Sequence, residues 1–426
     1  MLDIKLIRQN PQKMEELLRR KEPDAQVGPV LALDERLRHL KSEAETLKSR
    51  RNAVSKKIGE LKRTGQDTTA LMQEIAGVGD KAAALDSDIR LVEQELETVL
   101  GSLPNLPMED VKVSHDPKDN VVMREWGQKP TFDFPSKNHM ELNEQLSLFD
   151  FKRGAKISGS GWPTYCGMGA QLEWALLNYM IAVQRENGFS QWMLPLCVRP
   201  EVMFGSGQLP KFAKQVFQIH DEDYQLYMIP TAEVALNGLH RDEILEEETL
   251  PLKYMAYTPC FRREAGAAGS QERGLIRIHQ FNKLELFCFT TPAQSSAVFD
   301  FMVTCAEKVL QGLKLHHRSA LLVTGDMSFG AMRTIDVEVW LPGQGRYYEV
   351  SSVSNCGDYQ ARRSQTRYRP KEGGKPELVH TLNGSGLATS RLMVALLENN
   401  QQLDGSVILP EVLRPYLGGC DKLMPA

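Results

Sequence analysis

No apolar run in this 426-residue chain approaches the length of a membrane-spanning helix. The opening MLDIKLIRQNP lacks a basic stretch followed by an apolar core, so no signal peptide is expected. Cysteine is sparse and scattered. The seven are Cys166, Cys197, Cys260, Cys288, Cys305, Cys356 and Cys420, and none forms a CxxC pair. An odd number at irregular spacing suits free thiols in a reducing cytoplasm, not a disulfide framework. No Cys/His cluster has zinc-ligand spacing, so no zinc is expected, and His316-His317 reads as a surface pair. A surplus of charge is missing too: 51 Lys and Arg against 55 Asp and Glu leave a net charge of -4. Bulk charge therefore names no polyanion partner.

What is present fits a globular protein of two or three domains, with 42% hydrophobic and 25% charged residues. Residues 1 to 26 read as a helical lead-in with Asn10-Pro11 as a helix start. Then Leu33, Leu37, Leu40, Ala44, Leu47, Arg51, Val54, Ile58 and Leu61 step by four and three. After KRTGQDTT the rhythm returns in Leu71, Ile75, Val78, Ala82, Leu85, Ile89, Val92, Leu96 and Val99. Two heptad helices joined by a short turn predict an antiparallel coiled-coil hairpin over about 30 to 100. Each helix of about 30 residues would be roughly 45 Å long.

The two helices differ in charge. From Arg36 to Arg63 ten basic residues face only Glu43, Glu45 and Glu60, a balance of +7. From Leu71 to Leu100 the balance is -5. The basic helix, with Lys48, Arg50, Lys56 and Lys57, suits a phosphate backbone. The alternative is a solvated face whose charges pair across the hairpin. Leu103-Pro-Asn-Leu-Pro107 ends the arm. This predicts a boundary near 105, with domains at 1–105 and 106–426, and a polar connector to about Ser136.

Beyond it, helices and strands alternate. Gly169 to Arg185 is apolar almost all round, so it is buried or lies at an interface, and Gly188 and Pro195 bracket the strand after it. Ile335, Val337, Val339 and Leu341 alternate with Asp336, Glu338 and Trp340 as a half-buried strand. Tyr347 to Val353 is another. Residues 254–289 read as two strands around a polar loop containing Gly266, Gly269 and Gly274. Alternation puts Cys260, Arg262 and Glu264 on one face, and Phe281, Lys283, Glu285 and Phe287 on one face of the second strand. Arginine, carboxylates and a phenylalanine there suit an anionic, ring-containing ligand; an ordinary solvated hairpin is the alternative. In 382–399 a Gly-Ser-Gly turn precedes a helix carrying Arg391, a place that can admit an anion or be a plain strand-to-helix turn.

FRREAGAAGSQERGLIRIHQF resembles motif 2 of class II aminoacyl-tRNA synthetases, and GSGLATSRLMVALLE resembles motif 3. The Gly169 helix with Pro195 (about 169–195) resembles motif 1, the dimer element. With Thr231-Ala232-Glu233, GSGQLPKF at 205–212, PNLP and the hairpin, the whole chain resembles the bacterial-type seryl-tRNA synthetases. Amino acid:carrier-protein ligases of the same class lack the long arm.

The resemblance implies an α+β fold. Its core would be a six- or seven-stranded antiparallel sheet with flanking helices, behind the coiled-coil arm. It implies a cytoplasmic homodimer that uses ATP and magnesium, activates L-serine as seryl-adenylate and passes it to tRNA(Ser), and to tRNA(Sec) where one exists. Arg262 would bridge the α-phosphate and the serine carboxylate. Arg263, Glu264, the backbone around Ile278 and Phe281 would bind the nucleotide with Glu349, Val350, Ser351 and Ser352, and Arg391 would hold its γ-phosphate end. Glu349 and Ser352 would bind the magnesium. Thr231, Ala232, Glu233, Glu285, Asn383 and Ser385 would join Arg262 around serine. Lys48, Arg50, Lys56 and Lys57 would meet the long variable arm of the tRNA. Glu349 and Ser352 are three apart, so sharing a metal requires a bulge or a strand end between them.

Overall fold

The computed structural model describes residues 1–264 and 274–425. The loop glycines Gly266 and Gly269, with Gln271 and Glu272, lie outside them. By its contacts the chain divides into Leu2–Leu103 and a second unit made of Met1 and Pro104–Ala426.

In the first unit the heptad residues close on one another. Helix α1 is Gly28–Arg63 and helix α2 is Thr69–Gly101. Every seam position named above is buried or half-buried except Arg51, which is exposed. Gly65 builds the turn at φ +71°. The Gly65 and Gln66 N–H groups then donate back to Lys62 and Leu61 carbonyls at 3.3 and 3.0 Å. That stop needs the left-handed region, which glycine enters without cost. Asp67 accepts from the Thr69 N–H at 2.9 Å and starts α2.

The basic helix meets its neighbour in part. Lys41 pairs with Glu93, Lys48 with Asp86 and Arg50 with Glu74, at 2.6, 2.8 and 2.6 Å. Lys56 and Lys57 are exposed, with no ion pair among the described residues.

In the second unit five helices matter for the site: α3 (His139–Leu146), α4 (Met168–Glu186), α5 (Ala232–Gly238), α6 (Ser295–Gly312) and α7 (Thr389–Asn399). They pack around strands β1 (Val121–Trp126), β2 (Ser190–Trp192), β3 (Leu252–Phe261) and β4 (Gln280–Thr290). β5 (His317–Leu321), β6 (Arg333–Leu341), β7 (Arg346–Gly357) and β8 (His380–Ala388) complete the set. Among the described residues they form one eight-stranded sheet in the order β1-β5-β6-β7-β8-β4-β3-β2. All neighbours are antiparallel except β2 on β3.

The expected sheet had six or seven strands. The extra edge strand, β1, lies in the stretch read as a polar connector. It is exposed at all six positions, so it carries no burial alternation by which to see it. The His316-His317 pair is likewise not at the surface. Both are buried. His316 Nε2 lies 2.7 Å from the Tyr347 hydroxyl, and the His317 ring stacks on Trp126.

Strand β4 shows how alternation builds both core and site. Leu284, Leu286 and Cys288 face the main apolar core with Leu172 and Leu176 of α4, Met302 of α6 and Leu392 of α7. Lys283 and Glu285 face the other way, into the cleft described next. Phe287, on that same face, is covered with Phe289 by Ala232 and Leu236 of α5.

Candidate active site

Two irregularities in the sheet aim the site. Between β6 and β7 the register slips: Val337 pairs with Ser351, yet Glu338 pairs with Glu349. Val350 is the extra residue of a bulge, which re-aims the side chains beside it. Glu349 and Ser352 consequently line the same cavity. Between β4 and β8 a second slip separates the pairs Lys283–Ala388 and Glu285–Ser385. Leu387 takes φ +105° there and is fully buried. Such backbone costs on the order of 1–3 kcal/mol and persists where packing holds it.

This corrects the reading of Gly-Ser-Gly as a turn before a helix. Gly384 and Gly386 lie inside β8, and α7 starts only at Thr389. A Cβ on Gly384 would come within 2.9 Å of a Val353 methyl, and on Gly386 within 3.1 Å of Leu284. The glycines serve close sheet packing.

Two cavities, of about 250 and 500 Å³, open over the sheet. Arg262, Glu264, Arg277, Lys283, Glu349 and Ser385 line both, so the two lie side by side and share these residues. The smaller adds Ile278, Phe281, Val350 and Arg391. The larger adds Thr231, Glu233, Glu285, Ser352 and Asn383. Three expected site residues are not among the lining. Arg263 is exposed, and its N–H donates to the Gln215 carbonyl at 2.9 Å. Ala232, the first residue of α5, is turned into the core against Phe287 and Phe289. Ser351 is buried and its hydroxyl donates to the Ser385 carbonyl at 2.6 Å.

In the smaller cavity the guanidinium of Arg262 lies over the Phe281 ring, 5.1 Å from its centre. Arg262 Nε donates to the Pro230 carbonyl at 3.3 Å. Arg391 donates to the Glu349 carboxylate and carbonyl, both at 3.0 Å. Glu264, at φ +48°, pairs with Arg277 at 2.7 Å. The chamber thus offers three guanidinium groups beside one aromatic face.

The larger cavity has a polar floor. Thr231 begins α5 and its hydroxyl accepts from the Glu233 N–H at 3.3 Å. The same hydroxyl donates to Glu285 at 2.9 Å and accepts from Lys283 Nζ at 2.8 Å. Lys283 and Glu285 form a buried ion pair. Gln360 and Asn383 donate to Glu233 at 2.6 and 3.1 Å. Burial first, and then the nearby Glu285 charge, pushes the Glu233 carboxyl up to about 7.

Lys283, Arg277 and Gln360 were not singled out as site residues. Lys283 was legible, since it shares the β4 face with Glu285. Gln360 had no local signal: it reaches Glu233 across 127 positions. Asn105 is similar. Read only as part of a helix stop, it is buried and donates to the Gly330 and Cys356 carbonyls at 2.9 and 2.8 Å, which hold a wall of the larger cavity.

Residues 216–400 match the tRNA synthetase class II core domain (G, H, P, S and T), and residues 1–107 match the seryl-tRNA synthetase N-terminal domain. A serine–tRNA ligase of Chlamydia abortus is 53% identical over 425 residues, covering 100% of both chains. The chain belongs to the seryl-tRNA synthetase family. Its fold agrees with solved members of that family. Seryl-tRNA synthetase from Pyrococcus horikoshii, solved with ATP, gives a TM-score of 0.90 at 35% identity over 100% of both chains. The cytoplasmic serine–tRNA ligase of Naegleria fowleri, solved with AMP, gives 0.84 at 28% identity, over 100% of this chain and 99% of that one.

Proposed function

We propose that this chain ligates L-serine to tRNA(Ser) with ATP, through seryl-adenylate. The observation that carries the reading is that the two neighbouring chambers share Arg262. One chamber suits a purine and phosphates, the other a small zwitterion bearing a hydroxyl.

Glu285, held by Lys283 and Thr231, accepts from the serine hydroxyl. Glu233 meets the serine ammonium, and Asn383 and Ser385 complete the wall. The Arg262 fork serves the α-phosphate and the serine carboxylate together. Phe281 stacks on adenine, the Ile278 backbone and Glu264 take its edge, and Arg391 takes the γ-phosphate. A carboxylate oxygen of serine attacks the α-phosphorus, the bond to the β-phosphate breaks, and pyrophosphate leaves. A ribose hydroxyl of the tRNA's terminal adenosine then attacks the activated carbonyl, and AMP leaves. No side chain is needed as nucleophile: alignment and charge stabilisation drive both steps.

Magnesium fits the residues present. The bulge at Val350 brings Glu349 and Ser352 to one cavity wall, and two protein oxygens plus phosphates is a usual way to hold this ion. Bound there, it neutralises phosphate charge.

Several features support the partners. Lys56 and Lys57 on α1 are open to a tRNA backbone, and Lys48 and Arg50 reach it by exchanging their pairs with Asp86 and Glu74. A tRNA(Sec), where the cell holds one, is charged in the same way. A homodimer is supported by exposed apolar groups on motif 1: Trp174 of α4, 58% exposed, and Met193 after β2, 94% exposed. Among the described residues no helix is long and apolar enough to cross a membrane, in keeping with a cytoplasmic enzyme.

The test is ATP–pyrophosphate exchange across the standard amino acids. Serine alone should drive it. Alanine, which lacks the hydroxyl, should be rejected by roughly 10⁴-fold. Exchange driven by another amino acid, or by none, would overturn the reading.

A further inference from the structure

Beneath the nucleotide chamber lies a buried polar pair that none of the roles above uses. His139 opens α3 and is 3% exposed. Glu398, near the end of α7, is 0% exposed. His139 Nδ1 lies 3.2 Å from Glu398 Oε1. On its other side His139 Nε2 accepts from the Leu275 N–H at 3.3 Å. With Nε2 accepting, Nδ1 is the ring nitrogen left to donate to Glu398. Glu398 also takes the N–H groups of His139 and Gly343 and the Gln344 amide, each at 3.1 Å. A buried carboxylate with four donors is a fully satisfied and rigid hub.

What the pair connects gives it meaning. Leu275 belongs to the turn Gly274–Ile276, and the next residues, Arg277 and Ile278, line the nucleotide chamber. Glu398 is on α7 seven positions after Arg391, hence about two turns along the same side. α7 packs on both α3 and this turn. The approach at the turn is close: Gly274 sits at φ +72°, and a Cβ there would come within 2.2 Å of His139 Nε2. His139 therefore acts as a fixed spacer between the segment carrying Arg277 and the helix carrying Arg391.

We infer that His139 and Glu398 are positioning residues that set the spacing between the segment carrying Ile278 and the helix carrying Arg391, and so govern ATP and not serine. This rests on the nucleotide assignment made above. The serine floor, built from Thr231, Lys283, Glu285 and Glu233, has no bond to the pair. Each imidazole bond can be removed separately. In His139→Gln the side-chain oxygen can still accept from Leu275, while the bond donated by Nδ1 to Glu398 is lost. In His139→Asn the amide can still donate to Glu398 but no longer reaches Leu275. His139→Leu loses both.

The experiment measures KM for ATP and for serine, with kcat, in pyrophosphate exchange by the full chain and these variants, alongside Glu398→Gln. ATP-induced thermal stabilisation without serine is read in parallel. His139→Leu should raise the ATP KM about tenfold or more, because small misplacements of binding groups are costly. His139→Gln and His139→Asn should fall between it and the parent. The serine KM should stay unchanged, and the ATP-induced shift should shrink in the same order. An unchanged ATP KM, or equal rises for ATP and serine, would overturn the proposal. If His139→Leu does not fold, the two single-bond variants carry the same comparison. A parent chain that activates a different amino acid would overturn the serine reading, and the ATP comparison would then be made with that substrate.

Discussion

Glu285 stands at the floor of the larger cavity, 2% exposed, with Thr231 donating to it and Lys283 paired to it. Removing that carboxylate leaves a buried ammonium unpaired and, in the proposed pocket, strips the serine hydroxyl of its acceptor. Glu285→Ala should therefore lower serine-dependent exchange by about 10²-fold or more; near-parental exchange would take Glu285 out of the pocket. The bridge proposed for Arg262 depends on the shape of the group more than on its charge. Arg262→Lys keeps the charge but loses the planar fork. Adenylate formation should drop sharply while the thermal midpoint hardly moves, and unchanged ATP and serine dependence would contradict the bridging role.

Glu233 adds a pH signature. Its carboxyl is raised from 4.5 to about 7. In the proposed role Glu233 meets serine's ammonium in its ionised form, so the serine KM should fall as pH rises through about 7 and level off above it. The stability sign is opposite. Between 4.5 and about 7 the folded chain holds a proton that the unfolded chain has released. This group's contribution to stability therefore declines across that window and is constant above it. Glu233→Gln should abolish both slopes. A serine KM independent of pH in the parent chain would show that Glu233 does not meet the ammonium.

At the scale of elements, what could be read from sequence followed periodicity. The hairpin seam and the faces of β4 are periodic over many residues, and the structure shows them, with Arg51 the one exposed position named in the seam, as its charge requires. Register slips are different. Glu349 and Ser352 stand three apart and needed a bulge, but only the pairing of β7 with β6 places it at Val350. The same kind of slip hid the true setting of Gly-Ser-Gly, because strand and turn share those residue types. Contacts such as His139–Glu398, 259 positions apart, leave no local trace.

The hairpin's ion pairs refine its charge reading. Lys48 and Arg50 must give up partners on α2 to meet a phosphate, whereas Lys56 and Lys57 need not. Neutralising Lys56 and Lys57 together should weaken tRNA binding more than neutralising Lys48 and Arg50, and should reduce the salt slope by about one to two. Equal effects of the two double variants, measured by filter binding over a salt series, would show that the cross-hairpin pairs are immaterial.

At the scale of the whole molecule, the proposed function places serine activation in the unit beginning at Pro104 and tRNA selection in the hairpin. The hairpin seam is satisfied by its own two helices, and each described site residue of the activation reaction lies beyond Pro104. Replacing residues 30–100 with a short Gly/Ser linker separates the two tasks. The decisive measurement compares this variant with the parent chain in two assays: serine-dependent pyrophosphate exchange, and transfer of serine to tRNA(Ser). Exchange should be nearly parental, with almost no transfer at ordinary tRNA concentrations. Efficient charging by the shortened chain would contradict this, as would loss of exchange in a variant that remains folded.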